Sequence, residues 1–131
     1  MNVTRLDCAP VYEAPNHFDM RCLRLQGHEA GASQSIWLGL SIIEPGGHTS
    51  LNASPLEKHY VVLEGELTLV SERNGVTSEA VLRAQDSACF EPGEKRQLIN
   101  RSTGVVRVLL AMPYPPAQEG TGAVSVALPR G

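Results

Sequence analysis

The amino-acid sequence predicts an all-β domain, either a sandwich or a small barrel. Three observations carry that prediction. Short runs alternate apolar and polar side chains with the period of two expected of a half-buried strand. Turn signals separate these runs at near-regular spacing: Pro45-Gly46-Gly47, Asn74-Gly75, Pro92-Gly93 and Ser102-Thr103-Gly104. Apolar repeats of helical period are hard to find anywhere in the chain.

The elements follow in order. Met20–Gln26 (MRCLRLQ) alternates. Ser35–Ile43 (SIWLGLSII) places Ile36, Leu38, Leu40 and Ile42 on one face and Trp37, Gly39 and Ser41 on the other. Pro45-Gly46-Gly47 is expected to break that strand. His59–Leu63 (HYVVL) is rich in β-branched and aromatic residues and stops at Gly65. Glu66–Glu72 puts Leu67 and Leu69 on one face, and Asn74-Gly75 joins it to Thr77–Arg83. Asn-Gly between alternating runs marks a tight hairpin, since both turn residues take positive φ. Ser87–Glu91 and Gln97–Asn100 are short, and Val105–Met112 (VVRVLLAM) is a strong strand ended by Pro113, Pro115 and Pro116. Ala123–Leu128 is the last alternating run. Closing these strands into a barrel removes exposed sheet edges.

Composition narrows the class. The chain has 131 residues, 42% apolar and 19% charged, which fits one folded domain that needs no disulfide or metal staple. With a net charge of −3, no basic run and few aromatic residues, nucleic acid is not expected as a partner. The apolar stretch Ile36–Ile43 is too short to cross a membrane. The N-terminus lacks the apolar segment of a signal peptide, and a cytoplasmic protein is expected. Cys8, Cys22 and Cys89 form no CxxC pair, and Cys22 and Cys89 read as small buried hydrophobes in strands.

Two stretches carry a family resemblance. Pro45–Gly65 (PGGHTSLNASPLEKHYVVLEG) resembles the first signature of the cupin superfamily: Gly, five residues, His-x-His, three or four residues, Glu, six residues, Gly. Gln85–Asn100 (QDSACFEPGEKRQLIN) resembles the second: Gly, five residues, Pro-x-Gly, two residues, His, three residues, Asn. Pro45, Gly46, Gly65, Pro92, Gly93 and Asn100 supply the scaffold positions, while Gln85 and Glu91 depart from the pattern. The resemblance implies a small RmlC-like double-stranded β-helix, a jelly-roll barrel. One cupin domain over 1–131 is expected, with a motif-bearing core over 45–112, N-terminal strands over 1–44 and a tail over 113–131. Cupins of this size imply a homodimer, with Ala123–Leu128 adding to a sheet edge or packing on the partner. Asp86 resembles the family's structural turn Asp.

The resemblance also locates a site. The positions at which most cupins hold a metal through two His, a Glu and a third His fall on Asn52, Ser54, Lys58 and Arg96. Asn and Ser are weak neutral donors, and Lys and Arg bring positive charge instead of a lone pair. Against a divalent ion that charge is unfavourable by several kcal/mol at an effective dielectric near 20. No metal and no cofactor is therefore expected at these positions. Lys58 and Arg96 would instead give a cationic pocket for a small anionic organic ligand, with Asn52 and Ser54 beside them. The competing expectation is that they pair with buried acids, Glu64 or Glu91. Strand register puts Lys58, Tyr60, Val62 and Glu64 on one face and His59 on the other. Tyr60 and His48 are the candidate proton-moving groups. His17 and His28 sit in polar stretches and are the weaker histidine candidates.

Three functions fit this reading. The first is a metal-independent enzyme acting on a small organic acid as a lyase, isomerase or decarboxylase. The second is a small-molecule binding or sensing module with the same pocket and no turnover. The third is a metal-dependent cupin with atypical ligands such as His48 and His59.

Overall fold

In the structure, a computed structural model, residues 1–116 are described. The expected Ala123–Leu128 run lies outside them. Ten strands follow one another in the described chain: β1 (Val11–Tyr12), β2 (His17–Gln26), β3 (Ile36–Thr49), β4 (Asn52–Ala53), β5 (Lys58–Glu64), β6 (Leu67–Arg73), β7 (Val76–Leu82), β8 (Ser87–Phe90), β9 (Lys95–Ile99) and β10 (Val106–Pro113). Single 3₁₀ turns at Leu6–Cys8 and His28–Ala30 are the helical content of the described residues.

All the pairings are antiparallel. One layer runs β1-β2-β3-β10-β5-β8 and the other β7-β6-β9-β4. The two layers join through β3, whose last residues leave β10 and pair with β9 (His48 opposite Ile99). This is a nearly closed jelly-roll barrel.

Pro45-Gly46-Gly47 therefore bends β3 instead of ending it. Gly46 takes φ +83°, and the Gly46 amide donates to the Asn100 carbonyl while the Asn100 amide donates to the Gly47 carbonyl. These two hydrogen bonds carry the strand from one sheet to the other. The Asn74-Gly75 hairpin has the expected chemistry, with φ of 52° and 76° and Arg73 opposite Val76.

The core sits between the layers. Trp37, Ile43, Val62, Leu67, Val106, Val108, Leu110 and Met112 are all buried there. Each such side chain withdrawn from water contributes about 1.5–3 kcal/mol. The inward row of β3 is Trp37, Gly39, Ser41 and Ile43, while Ile36 is exposed and Leu38 and Ile42 are half-buried on the outside. That outer row meets Leu23 of β2 and Leu109 of β10 (both opposite Leu40), so both faces of β3 are apolar.

Candidate functional site

The chain around the site is pinned by a few strand-end contacts. Asn100, fully buried, donates to the Ile43 and Gly104 carbonyls (2.9 and 2.8 Å) and fixes the end of β9 against the bend of β3. Thr49 Oγ1 accepts the Leu98 amide at 3.0 Å. Ser54 Oγ accepts the Leu56 amide at 3.1 Å and turns the chain into β5. Asp86 accepts the Arg83 amide at 2.9 Å in the turn before β8, as its resemblance to the structural Asp implies.

These contacts frame a cavity of about 240 Å³ at one end of the barrel. Asn52, Ser54, Lys58, Tyr60 and Arg96 all line it. Arg96 on β9 lies directly opposite Asn52 on β4. Its Nε donates to the Tyr60 hydroxyl and its Nη1 to the Asn52 carbonyl, both at 3.0 Å. Lys58 is 1% exposed. Burial, and secondarily the Arg96 charge, lower its ammonium pKa from 10.5 to about 7. Burial raises the Tyr60 phenol above its ordinary range, and Arg96 pulls part of that back.

The remaining expectations meet the structure as follows. Glu64 is not on the Lys58 face: the β5–β10 register slips after Val62, and exposed Glu64 pairs with Arg107 Nε at 2.9 Å. Glu91 pairs with Arg73 outside the cavity. Neither acid therefore partners Arg96, which makes no ion pair among the described residues. His48 does not line the cavity. Its ring stacks on Phe18, with centroids 5.0 Å apart, and its Nδ1 lies 3.3 Å from the Gly46 carbonyl. Cys89 is exposed on the outer face of β8, whereas Cys22 is buried. His59, also exposed, faces Glu57 and Cys89. The ring of His28 lies 5.1 Å from both Trp37 and Tyr114, well away from the cavity lining.

Sequence reasoning missed Ser41, Thr49, Asn16 and Leu98, and passed over His17 as weak; all five also line the cavity. Ser41 was readable in principle. It is a polar side chain in the middle of an otherwise apolar face of β3, between Gly39 and Ile43. Asn16 and His17 come from a segment with no motif, brought to the rim by pairing of His17 with Thr49.

The donor set does not suit a divalent metal. Its lining offers amides, hydroxyls and two basic side chains, with His17 at the rim as a lone imidazole, and none of its described lining residues is acidic. The set does suit an anion carrying hydroxyl groups: two cations, the amides of Asn16 and Asn52, and the hydroxyls of Ser41, Thr49, Ser54 and Tyr60.

Comparison with known proteins fixes the family. The sequence profile of the cupin domain family matches residues 39–112. The chain is a cupin. It is 37% identical over 118 residues, 90% of this chain and 98% of the other, to a Mycobacterium tuberculosis protein named beta-D-galactosidase. The polyketide cyclase RemF of Streptomyces resistomycificus has a similar structure (TM-score 0.73, 21% identity, 86% of this chain and 79% of that one). So does a sugar phosphate isomerase of the cupin superfamily from Silicibacter pomeroyi (TM-score 0.61, 25% identity, 72% of this chain and 60% of that one). No helix among the described residues is long and apolar enough to cross a membrane.

Proposed function

We propose that this cupin binds a small hydroxylated organic anion, such as a sugar acid, in its barrel and moves a proton on it without a metal, as a lyase, isomerase or decarboxylase would. One observation carries the reading: a buried lysine with a pKa of about 7 sits beside an arginine that no described carboxylate neutralises. Arg96 receives the carboxylate and, through the same fork, the negative charge that develops on its oxygens when the neighbouring carbon is deprotonated. Neutral Lys58 accepts that proton at Nζ, since a base works best with a pKa near the operating pH. Tyr60, held by Arg96, orients a substrate hydroxyl. This role for Lys58 replaces the one expected of His48, which is stacked on Phe18.

A galactoside is the second reading, favoured by the name of the 37% identical relative. Glycoside hydrolysis generally needs two carboxylates flanking the bond, and the described lining offers none. The experiment is a panel of sugar acids, simple carboxylic acids and aryl galactosides, scored by thermal shift and by turnover. Sugar acids that raise the Tm and turn over without added metal support the proposal. A shift without turnover leaves a binding module. Turnover of galactosides alone overturns the proposal in favour of the second reading.

The homodimer belongs to the same proposal. Val61 and Leu109 are half-buried cross-strand partners on the outer face, with exposed Leu63 beside them. A second copy would cover these three side chains. The cytoplasm is the proposed location.

A further inference from the structure

On the outer side of β5, facing away from Lys58 and Tyr60, three different donor types converge. Glu57 Oε1 lies 2.6 Å from His59 Nε2, and Cys89 Sγ lies 3.8 Å from the same nitrogen. The three donor atoms are all within 4.8 Å of one another. The backbone fixes two of them, because His59 and Cys89 are directly opposed in the β5–β8 pair. Glu57, two residues before His59, falls on the same side of the chain.

The shared nitrogen decides between two kinds of site. In a nucleophile–base–carboxylate relay the thiol and the carboxylate engage opposite nitrogens of the imidazole. Here both approach Nε2, which leaves no relay and leaves all three pointing at one place. Zinc bonds of about 2.0–2.3 Å at tetrahedral angles put N and S about 3.6 Å apart and N and O about 3.4 Å apart. The present 3.8 Å N–S separation already matches, and the Glu57 carboxylate must swing out by less than about 1 Å. Glu57 and His59 are half-exposed, so that movement is free of packing. Thiolate, imidazole and carboxylate together suit zinc better than magnesium or calcium. The charges of Glu57, Glu91 and Glu94 act on Cys89 and add a field that favours a cation there.

We propose that Glu57, His59 and Cys89 form a zinc site on the outer face of the barrel, separate from the cavity. Binding releases the thiol proton to solvent and joins Sγ, Nε2 and Oε1 to the ion, with water completing the tetrahedron. The test is titration of the full-length protein with Zn²⁺ against a chromophoric chelator, and with Co²⁺ followed by absorbance. One equivalent of micromolar affinity is expected, with a thiolate-to-cobalt charge-transfer band. Both are lost in Cys89→Ser and in His59→Gln, while Cys8→Ser and Lys58→Met keep them. All three ligands are exposed, and a Tm within a few degrees of wild type checks that the variants fold. Absence of stoichiometric binding overturns the proposal, as does a charge-transfer band that survives Cys89→Ser. Retention of the site by Lys58→Met separates this inference from the cavity reading.

Discussion

Replacing Lys58 by Met tests the central claim, because the buried ammonium has a thermodynamic signature of its own. Its pKa is 10.5 ordinarily and about 7 in the fold. At about 1.4 kcal/mol per pH unit, keeping that proton costs the folded state up to about 5 kcal/mol. The sign follows from proton counting. Between the two values the unfolded chain binds the proton and the folded chain releases it, so stability rises with pH across that window. Below about pH 7 both states are protonated and the full penalty stands; above about pH 10.5 neither is, and it vanishes. Met fills nearly the same volume without charge. Lys58→Met should therefore be more stable than wild type by roughly 3–5 kcal/mol at about pH 6, with the gap closing toward about pH 10. Urea unfolding across this range, with wild type and variant compared at each pH, measures it. A gap that does not change with pH refutes the reasoning: Lys58 would then not titrate inside the barrel, and its role as a neutral base would fall with it.

Three further outcomes are expected. Arg96→Ala removes two hydrogen bonds and no ion pair among the described residues, so it should cost only about 1–2 kcal/mol in urea melts. It should also abolish any thermal shift caused by sugar acids, and a loss beyond about 3 kcal/mol would reveal a structural carboxylate partner instead. Asn100→Ala removes the amide that donates to the Ile43 and Gly104 carbonyls and should cost about 3 kcal/mol, read as a lower urea midpoint at unchanged slope. Light scattering at micromolar concentration should give twice the chain mass, and Leu109→Glu, on the outer face opposite Val61, should give the monomer.

Legibility in the sequence followed the physics of each feature. The Asn74-Gly75 hairpin was readable because its two positive φ values need those two residue types. The convergence of Asn52, Ser54, Lys58 and Arg96 was readable because the signature spacings constrain backbone geometry even when the side chains change. Glu64 was misplaced because a bulge shifts the register by one residue, and alternation counted along one strand carries no trace of it. The fate of Pro45-Gly46-Gly47 was hidden for a related reason. Pro and Gly show where a chain turns, but whether the turn ends a strand or hands it to a second sheet depends on a distant partner, here Asn100. Cys89 reads as apolar from its neighbours, yet it points outward from a short strand at the end of its sheet.

The charges in the cavity give the substitution a coherent electrostatic sense. The metal set implied by the cupin signature carries two positive charges on the ion and one negative on its carboxylate, a net of one positive charge. Lys58 and Arg96 carry two when both are protonated and one once Lys58 loses its proton, which a pKa of about 7 allows as the pH rises past neutrality. In that state the barrel keeps a single net positive charge, on a fixed guanidinium. The exchange also changes what that charge does. A metal polarises its ligand and lowers the pKa of a bound water, whereas a guanidinium beside a neutral amine holds an anion and offers a base about as strong as imidazole. Binding a carboxylate beside Lys58 would then raise the lysine's pKa, because a nearby opposite charge favours the ammonium. Fractional proton uptake on ligand binding, measured as a buffer-dependent heat near neutral pH, is the direct consequence; it should disappear in Lys58→Met, and it must stay below one proton for Lys58 to remain a base in the complex. Binding with no proton uptake in wild type would place the anion outside the field of Lys58 and remove it from the chemistry.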